Sequence, residues 1–459
     1  MQRPQSTCSC DSWQKLRLTQ RHGEIGCSVG GYYFVENWMF SMDGSVGSSF
    51  PPLVSHELWS KVVGIPWRSE GHLTSLLVKY FGEAFAVNAF KKHRETYFDI
   101  KEDFAAMKRS SVRAVRIALH WSSFFPPADQ GFVYSFQERI VSDPLSLDES
   151  LHVICPQSDI VELLGAAVTS GLSVMLDFHI HPGQTGPAGA LMNWSTALST
   201  MTSDMQNRWK LAYAHFVNQW IAFIRNLPDF IRDGITGLQP LNHAMLMANS
   251  GFVQPAFMMS PGVSSTAIWV QEYFLRKYLE NLIGAFADAP FGPPCIYVNL
   301  DEILERKALQ RTLHGLADLL AAHNLNPSNK LVDARHIFFQ EWHDKGHLPS
   351  ADTLENHINR IFFTNNDQKR WRDACVEWSN ALPRSRILLN AISRIGASKV
   401  KVDLFDLMVS VCEKMNLENY FWCWDTPYAC PRQGMNAGKK RTHWSLKCAL
   451  GLSGRAPEK

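Results

Sequence analysis

Short apolar runs recur along this chain, each followed by a longer stretch of helical periodicity, and that alternation restricts it to parallel α/β folds. The runs are Gly31–Val35, Ala114–Leu119, Leu172–Phe178, Ile235–Leu241, Cys295–Leu300, Val332–Phe339, Ala374–Val376 and Tyr420–Trp424. Compositions such as VRIAL, VMLDF and IYVNL are those of strands buried on both faces. Between them, Trp209 to Leu227 sets Leu211, His215, Phe216, Trp220 and Phe223 on one helical stripe, and Leu304–Ala322 and Asp403–Glu413 read the same way. Eight such strands predict an α/β fold of the (β/α)₈ TIM-barrel type, a single domain with elaborated loops. An open doubly wound sheet is the alternative, but no Gly-rich phosphate loop follows the first run.

The expected domain spans residues 23–451, with a loose arm over 1–22 and a loose tail over 452–459. Ser122–Ser158, rich in Pro and Asp and weakly periodic, reads as a long loop after the second strand. With 459 residues, 46% hydrophobic and 19% charged, the chain has material for a substantial core. No stretch has the length and apolarity of a membrane span, and the N-terminal twenty residues lack the apolar centre of a secretory signal. A net charge of +2 with scattered basic residues gives no footprint for nucleic acid. Ten cysteines at irregular spacing show no paired zinc-binding pattern, so neither a metal nor a cofactor is expected. The fifteen tryptophans lean mildly towards carbohydrate, whose apolar ring faces suit flat aromatic surfaces.

In a (β/α)₈ barrel the active site is built at the C-terminal ends of the strands. There the sequence presents Glu36, Arg116 with His120, Asp177 with His179, Asn242 with His243, Asp301 with Glu302, His336, Glu377, and finally Trp422 and Trp424. Several carboxylates around one mouth, with Arg, His, Asn and Trp, suit glycoside chemistry. One carboxylic acid protonates the leaving oxygen and a second carboxylate attacks the anomeric carbon.

These residues sit in segments that resemble glycoside hydrolase family 5, and within it the exo-β-1,3-glucanases. Gly30 to Trp38 (GGYYFVENW) is similar to G-G-W-L-V-x-E-P-W, and His93 to Phe104 to H-W-x-T-F-I-T-E-x-D-F. Val115-Arg116-Ile117 resembles V-R-I-P, and Asp177 to Gly183 resembles D-L-H-G-A-P-G. Gly237 to Asn242 (GLQPLN) falls on G-I-E-L-L-N, His336 to Phe338 on H-x-Y, and Glu377 to Leu382 on E-W-S-x-A-L. Phe421 to Trp424, with Trp444-Ser445 later, resembles F-W-x-W-K-T-E and the W-S after it. The matches run in order from about Gly30 to Gly451.

The resemblance implies a monomeric retaining β-glucan hydrolase of the exo-β-1,3-glucosidase type, with β-glucan or a gluco-oligosaccharide as partner. A secreted or cell-wall location is suggested by the resemblance alone. It makes Glu377 the nucleophile, supported by Arg116, Asn242, His336 and the Phe338 position. Glu36 and His179 would contact sugar hydroxyls, and Trp424 or Trp422 would form a stacking floor.

Several positions depart from the pattern. The acid/base Glu of N-E-P is His243, followed by Ala244, and no Asp or Glu occurs from Asn242 through Trp269. Phe338 replaces the Tyr of H-x-Y, Val376 the Gly before the nucleophile, and Asp425 the Lys after the last Trp. A working hydrolase with an unusual acid and a glycan-binding pseudoenzyme are both compatible with this pattern. A ligand-free structural barrel fits less well, because the rest of the polar set is retained.

Overall fold

The computed structural model describes residues 25–33, 35, 54–67, 70–124, 155–180, 218–240, 283–284, 286, 294–298, 318, 320–324, 331–333, 336–338, 349–363, 387–391, 399–415, 417–421, 424 and 446–449. Among these residues there are nine strands, β1 (Ile25–Val29), β2 (Ala114–His120), β3 (Ser173–Ile180), β4 (Ile235–Gln239), β5 (Cys295–Val298), β6 (Leu331–Asp333), β7 (His336–Phe338), β8 (Ile387–Ala391) and β9 (Asn419–Phe421). They form one sheet in the order β6-β5-β4-β3-β2-β1-β9-β8-β7. Every pairing is parallel. The sheet curves into a half-barrel. Parallel neighbours need long return connections, and helices supply them: α1 (His56–Val62), α2 (Glu70–Phe81), α3 (Glu83–Tyr97) and α4 (Ile100–Arg109) between β1 and β2, and α5 (Gln157–Thr169) between β2 and β3. Residues 218–226 and α6 (Asp229–Gly234) precede β4, α7 (Ala351–Phe363) precedes β8, α8 (Lys399–Met415) precedes β9, and α9 (Leu446–Ala449) follows it.

Alternation along each strand sorts the side chains onto two faces. Val115, Ile117 and Leu119 of β2 and Val174, Leu176 and Phe178 of β3 join the large core, with Leu163, Leu164 and Ala167 of α5. Phe178 meets Trp220 edge-on at 4.2 Å between ring centroids, which bears out the stripe expected for Trp220 and Phe223. Each such side chain contributes about 1.5–3 kcal/mol when fully buried. Helix α4 starts at Asp99, whose carboxylate accepts the amides of Lys101 and Glu102, a cap of about 1 kcal/mol.

The other face carries a separate cluster of Ala114, Met175, Tyr297 and Tyr420. The hydroxyls of Tyr297 and Tyr420 both donate to Glu418 Oε1, at 2.7 and 2.6 Å. Two strand glycines admit these rings. A Cβ on Gly26 would lie 2.3 Å from Tyr420 Cδ1, and one on Gly237 2.7 Å from Tyr297 Cε2.

The strand expected over Gly31–Val35 lies earlier, at Ile25–Val29. Gly26 and Ser28 interrupt its apolar run and hide it, whereas Gly31, at φ 80°, forms the turn that ends it. The single run Val332–Phe339 divides into β6, paired with β5, and β7, paired with β8. Ala374–Val376 lies outside the described residues, and the strand between β7 and β9 is Ile387–Ala391, itself an apolar run. The expected arm and tail, most of the loop over Ser122–Ser158, and most of Leu304–Ala322 also lie outside them; α5 begins within that loop's end, at Gln157. The outermost strands β6 and β7 are consecutive in sequence. Three Cα steps separate Asp333 from His336, a span of at most about 11 Å.

Candidate functional site

Arg116 is the third residue of β2, on the face opposite the helices, and its neighbours across the register are Ser28 on β1 and Met175 on β3. Two residues beyond Met175 stands Asp177, paired with Gln239 of β4. Period two therefore carries Ser28, Arg116, Asp177 and Gln239 onto one layer of the inner face. They bond to one another. The Arg116 guanidinium lies 2.8 Å from Asp177 Oδ2, its Nε donates to Gln239 Oε1 at 3.1 Å, and a terminal nitrogen reaches Ser28 Oγ at 3.5 Å. Neither Arg116 nor Asp177 is exposed. Burial lowers the guanidinium's pKa and the Asp177 carboxylate opposes that shift; Arg116 remains a cation, as arginines do.

The next layer towards the C-terminal ends of the strands holds His179 and His120. His179 Nδ1 lies 2.6 Å from Asp177 Oδ2, so one carboxylate oxygen joins the arginine to the histidine. The His120 imidazole is pushed down to about 3, first by burial and then by His179 beside it, which keeps it neutral. His120 Nε2 stands 3.8 Å from Glu70 Oε1, and the other oxygen of Glu70 accepts the amide of Val35 at 2.5 Å. Glu70 thereby ties the chain beside Glu36 to the mouth of β2 and β3. Beneath that turn, His93 Nε2 donates to the Gly31 carbonyl at 2.6 Å and Tyr97 donates to that of Gly30 at 2.5 Å.

Of the residues expected from sequence, Arg116 and His179 are brought together, through Asp177. His336 and Phe338 begin and end β7, two residues apart on one strand, and their side chains lie outside the described residues, as do Glu36, Asn242, His243, Glu377 and Trp422 altogether. Trp424 departs from expectation. Its side chain has no exposed surface, its indole N–H donates to Asp103 Oδ1 at 3.0 Å, and its amide donates to the Ser28 carbonyl at 2.8 Å. Asp103 is also ion-paired with Lys447 of α9, and its second oxygen accepts the Asp99 amide at 2.8 Å. A ring so enclosed is a structural anchor for the end of β9, not an open stacking floor.

Asp177 stood at a strand end in the sequence without a role, and Gln239, Ser28 and Glu70 were not singled out. Counting by twos from Arg116 across neighbouring strands is the signal that finds the first three. Glu70 has no such signal, since a helix carries it to the site. Among the described residues no group of three or more His, Cys, Asp or Glu is arranged to hold a metal ion.

No family model and no curated protein matches the sequence. Solved structures do match. A rutinosidase from Aspergillus niger superposes with a TM-score of 0.51 at 11% identity, over 94% of this chain and 98% of that one. A GH5-4 broad specificity endoglucanase from Bacteroides salanitronis gives 0.40 at 12% identity, over 77% and 80%. A hyperthermophilic endocellulase from the archaeon Pyrococcus horikoshii gives 0.33 at 14% identity, over 77% and 85%. The similarity to the rutinosidase, extending over nearly the whole of both chains, is one of fold.

Proposed function

We propose that this chain is a glycosidase-type (β/α)₈ barrel of the family 5 kind that binds β-linked glucan, with Glu377 as nucleophile and His243 at the acid/base position. The observation that carries the proposal is the Arg116–Asp177–His179 network. Two segments that resemble the family far apart in sequence, V-R-I and D-F-H, meet in it as one buried, hydrogen-bonded unit on the inner face of the sheet.

Closure into a full barrel is supported by the shortness of the link from Asp333 to His336, three Cα steps between the outermost strands. Fold similarity to a rutinosidase, a glycoside-cleaving enzyme by its name, agrees with this chemistry. Asn242 and His243 follow Gln239, a hydrogen-bond partner of Arg116, by three and four residues in sequence. Glu36 follows Val35, whose amide Glu70 holds. The assignment of Glu377 rests on its E-W-S-N-A-L match; β8 begins ten residues after it. With Trp424 enclosed, the stacking floor passes to Trp422. The exo-β-1,3 preference rests on the motifs alone.

His243 sets the expected activity. General acid–base assistance is worth about 10²–10⁴ in rate, or roughly 3–5 kcal/mol of barrier. An imidazolium can donate a proton, but it adds positive charge where an oxocarbenium-like transition state forms. Hydrolysis of natural glucan is therefore weak, and the second reading, a glycan-binding protein without turnover, is favoured by His243 together with Phe338. Calorimetric titration with β-1,3-linked gluco-oligosaccharide tests the shared premise. Saturable binding is expected, and absence of binding by any β-linked gluco-oligosaccharide overturns the proposal. Turnover of the bound sugar separates the weak hydrolase from the pure binder.

A further inference from the structure

We infer that Glu70 is a positioning residue for ligand binding: its buried carboxylate fixes the chain at Val35 and so aims Glu36, the next residue, at the ligand. That the ligand is a β-linked gluco-oligosaccharide rests on the function proposed above; the hold of Glu70 on the chain does not.

The chain after β1 is held from three helices. Tyr97 and His93 of α3, stacked at 5.3 Å between ring centroids, donate to the carbonyls of Gly30 and Gly31. The Tyr33 hydroxyl donates to the carbonyl of Asp159 in α5 at 3.0 Å. Glu70, the first residue of α2, accepts the Val35 amide through Oε2 at 2.5 Å.

That last hold differs in kind. The contacts from α3 grip carbonyls where Gly31 reverses the chain, at φ 80°. Glu70 grips an amide, immediately before Glu36. Val35 has no exposed surface, so an amide deprived of its acceptor must stay unpaired inside or swing its peptide towards solvent. Either outcome disturbs the backbone that leads into Glu36.

Glu70 is well placed for this task. It is 2% exposed, and a carboxylate is among the strongest acceptors an amide can find. Its helix is anchored, since Leu73, Leu76 and Leu77 belong to the large core and Thr74 Oγ1 donates to the Glu70 carbonyl at 2.9 Å. Oε1, the other carboxylate oxygen, stands 3.8 Å from Nε2 of His120, the last residue of β2. One rigidly mounted side chain therefore sets the segment leading to Glu36 against the mouth of the sheet. Its effect on binding passes through Glu36.

Two variants separate this role from simple packing. Glu70→Met keeps roughly the volume and removes the acceptor, whereas Glu70→Gln keeps a neutral acceptor oxygen. The first readout is amide hydrogen exchange of Val35 in protein labelled with ¹⁵N-valine, the signal being the one missing from Val35→Ile. Exchange should be slow in the wild type, about tenfold or more faster in Glu70→Met, and intermediate in Glu70→Gln. Exchange at the rate of an open peptide in the wild type, or equal rates in wild type and Glu70→Met, overturns the inference.

The second readout is calorimetric affinity for β-1,3-linked gluco-oligosaccharide. Glu70→Met should bind about tenfold more weakly and Glu70→Gln within about threefold of the wild type. In a Glu36→Gln background neither change should cost anything further. A loss of the same size in that background comes from the fold at large and overturns the inference, as does full affinity in Glu36→Gln itself. Should Glu70→Met fail to fold, Glu70→Gln with and without Glu36→Gln decides on the same criterion. If no gluco-oligosaccharide binds the wild type, the proposed function fails, and the exchange rates alone judge the hold of Glu70 on the chain.

Discussion

Arg116 and Asp177 form an ion pair at 2.8 Å across adjacent parallel strands, with neither side chain exposed. Removing one partner of such a pair strands a charge in the interior at a cost of about 3–5 kcal/mol. Asp177→Ala is therefore expected to lower the free energy of unfolding in urea by that amount, and an Arg116→Met, Asp177→Leu double variant to recover a large part of it. Equilibrium denaturation followed by fluorescence checks both, and a loss below about 1 kcal/mol in Asp177→Ala would contradict the pairing.

How much of this layer the sequence disclosed depends on what hides each element. Strands β2 and β3 stand out because their core-facing residues, Val115 to Leu119 and Val174 to Phe178, are large and apolar while their inner residues carry the polar groups. Strand β1 was misplaced because Gly26 and Ser28 face inward, small so that Tyr420 and Arg116 can approach. The fate of Trp424 was invisible, since its partner Asp103 lies 321 positions away. Residues two apart announce each other through strand period; residues joined only by packing do not.

The two tryptophans after β9 should separate by phenotype. Trp424→Ala removes a fully buried ring and leaves Asp103 without an indole partner, so it should cost about 3–5 kcal/mol of stability. Trp422→Ala should leave the melting temperature nearly unchanged and weaken gluco-oligosaccharide binding several-fold, as expected for a lost stacking face. Paired melting and calorimetric measurements check this. Full affinity in Trp422→Ala would remove the stacking role.

Acid should destabilise the fold through its buried histidines. His93 is pushed down to about 4 by burial, an effect its hydrogen bond to Gly31 only partly opposes, and His120 to about 3. Both lie below the ordinary value near 6.5 that applies in the unfolded chain. Between about pH 6.5 and 4 the unfolded chain binds the proton and the folded protein does not, so stability is present above this window and falls as pH drops through it. His93 alone should account for about 2 kcal/mol between pH 7 and 5. Denaturant midpoints against pH in wild type and His93→Gln check it, and parallel curves would contradict it.

Leaving-group chemistry should expose His243. An aryl β-glucoside departs as a stable phenolate and needs little proton donation, whereas a glucan departs as an alkoxide. The wild type is expected to release phenolate while leaving β-1,3-oligosaccharide nearly untouched, and His243→Glu to raise oligosaccharide turnover by about 10²-fold or more. Equal rates on glucan in the two proteins would make the histidine an adequate acid.

Covalent capture of the nucleophile tests the central claim most directly. A 2-deoxy-2-fluoro-β-glucoside with a good leaving group forms its glycosyl-enzyme without strong acid assistance and releases it slowly. Peptide mass spectrometry of the labelled protein is expected to find the fluoroglucosyl group on Glu377, with none in Glu377→Gln. Label on another carboxylate, such as Glu36 or Asp301, would contradict the account.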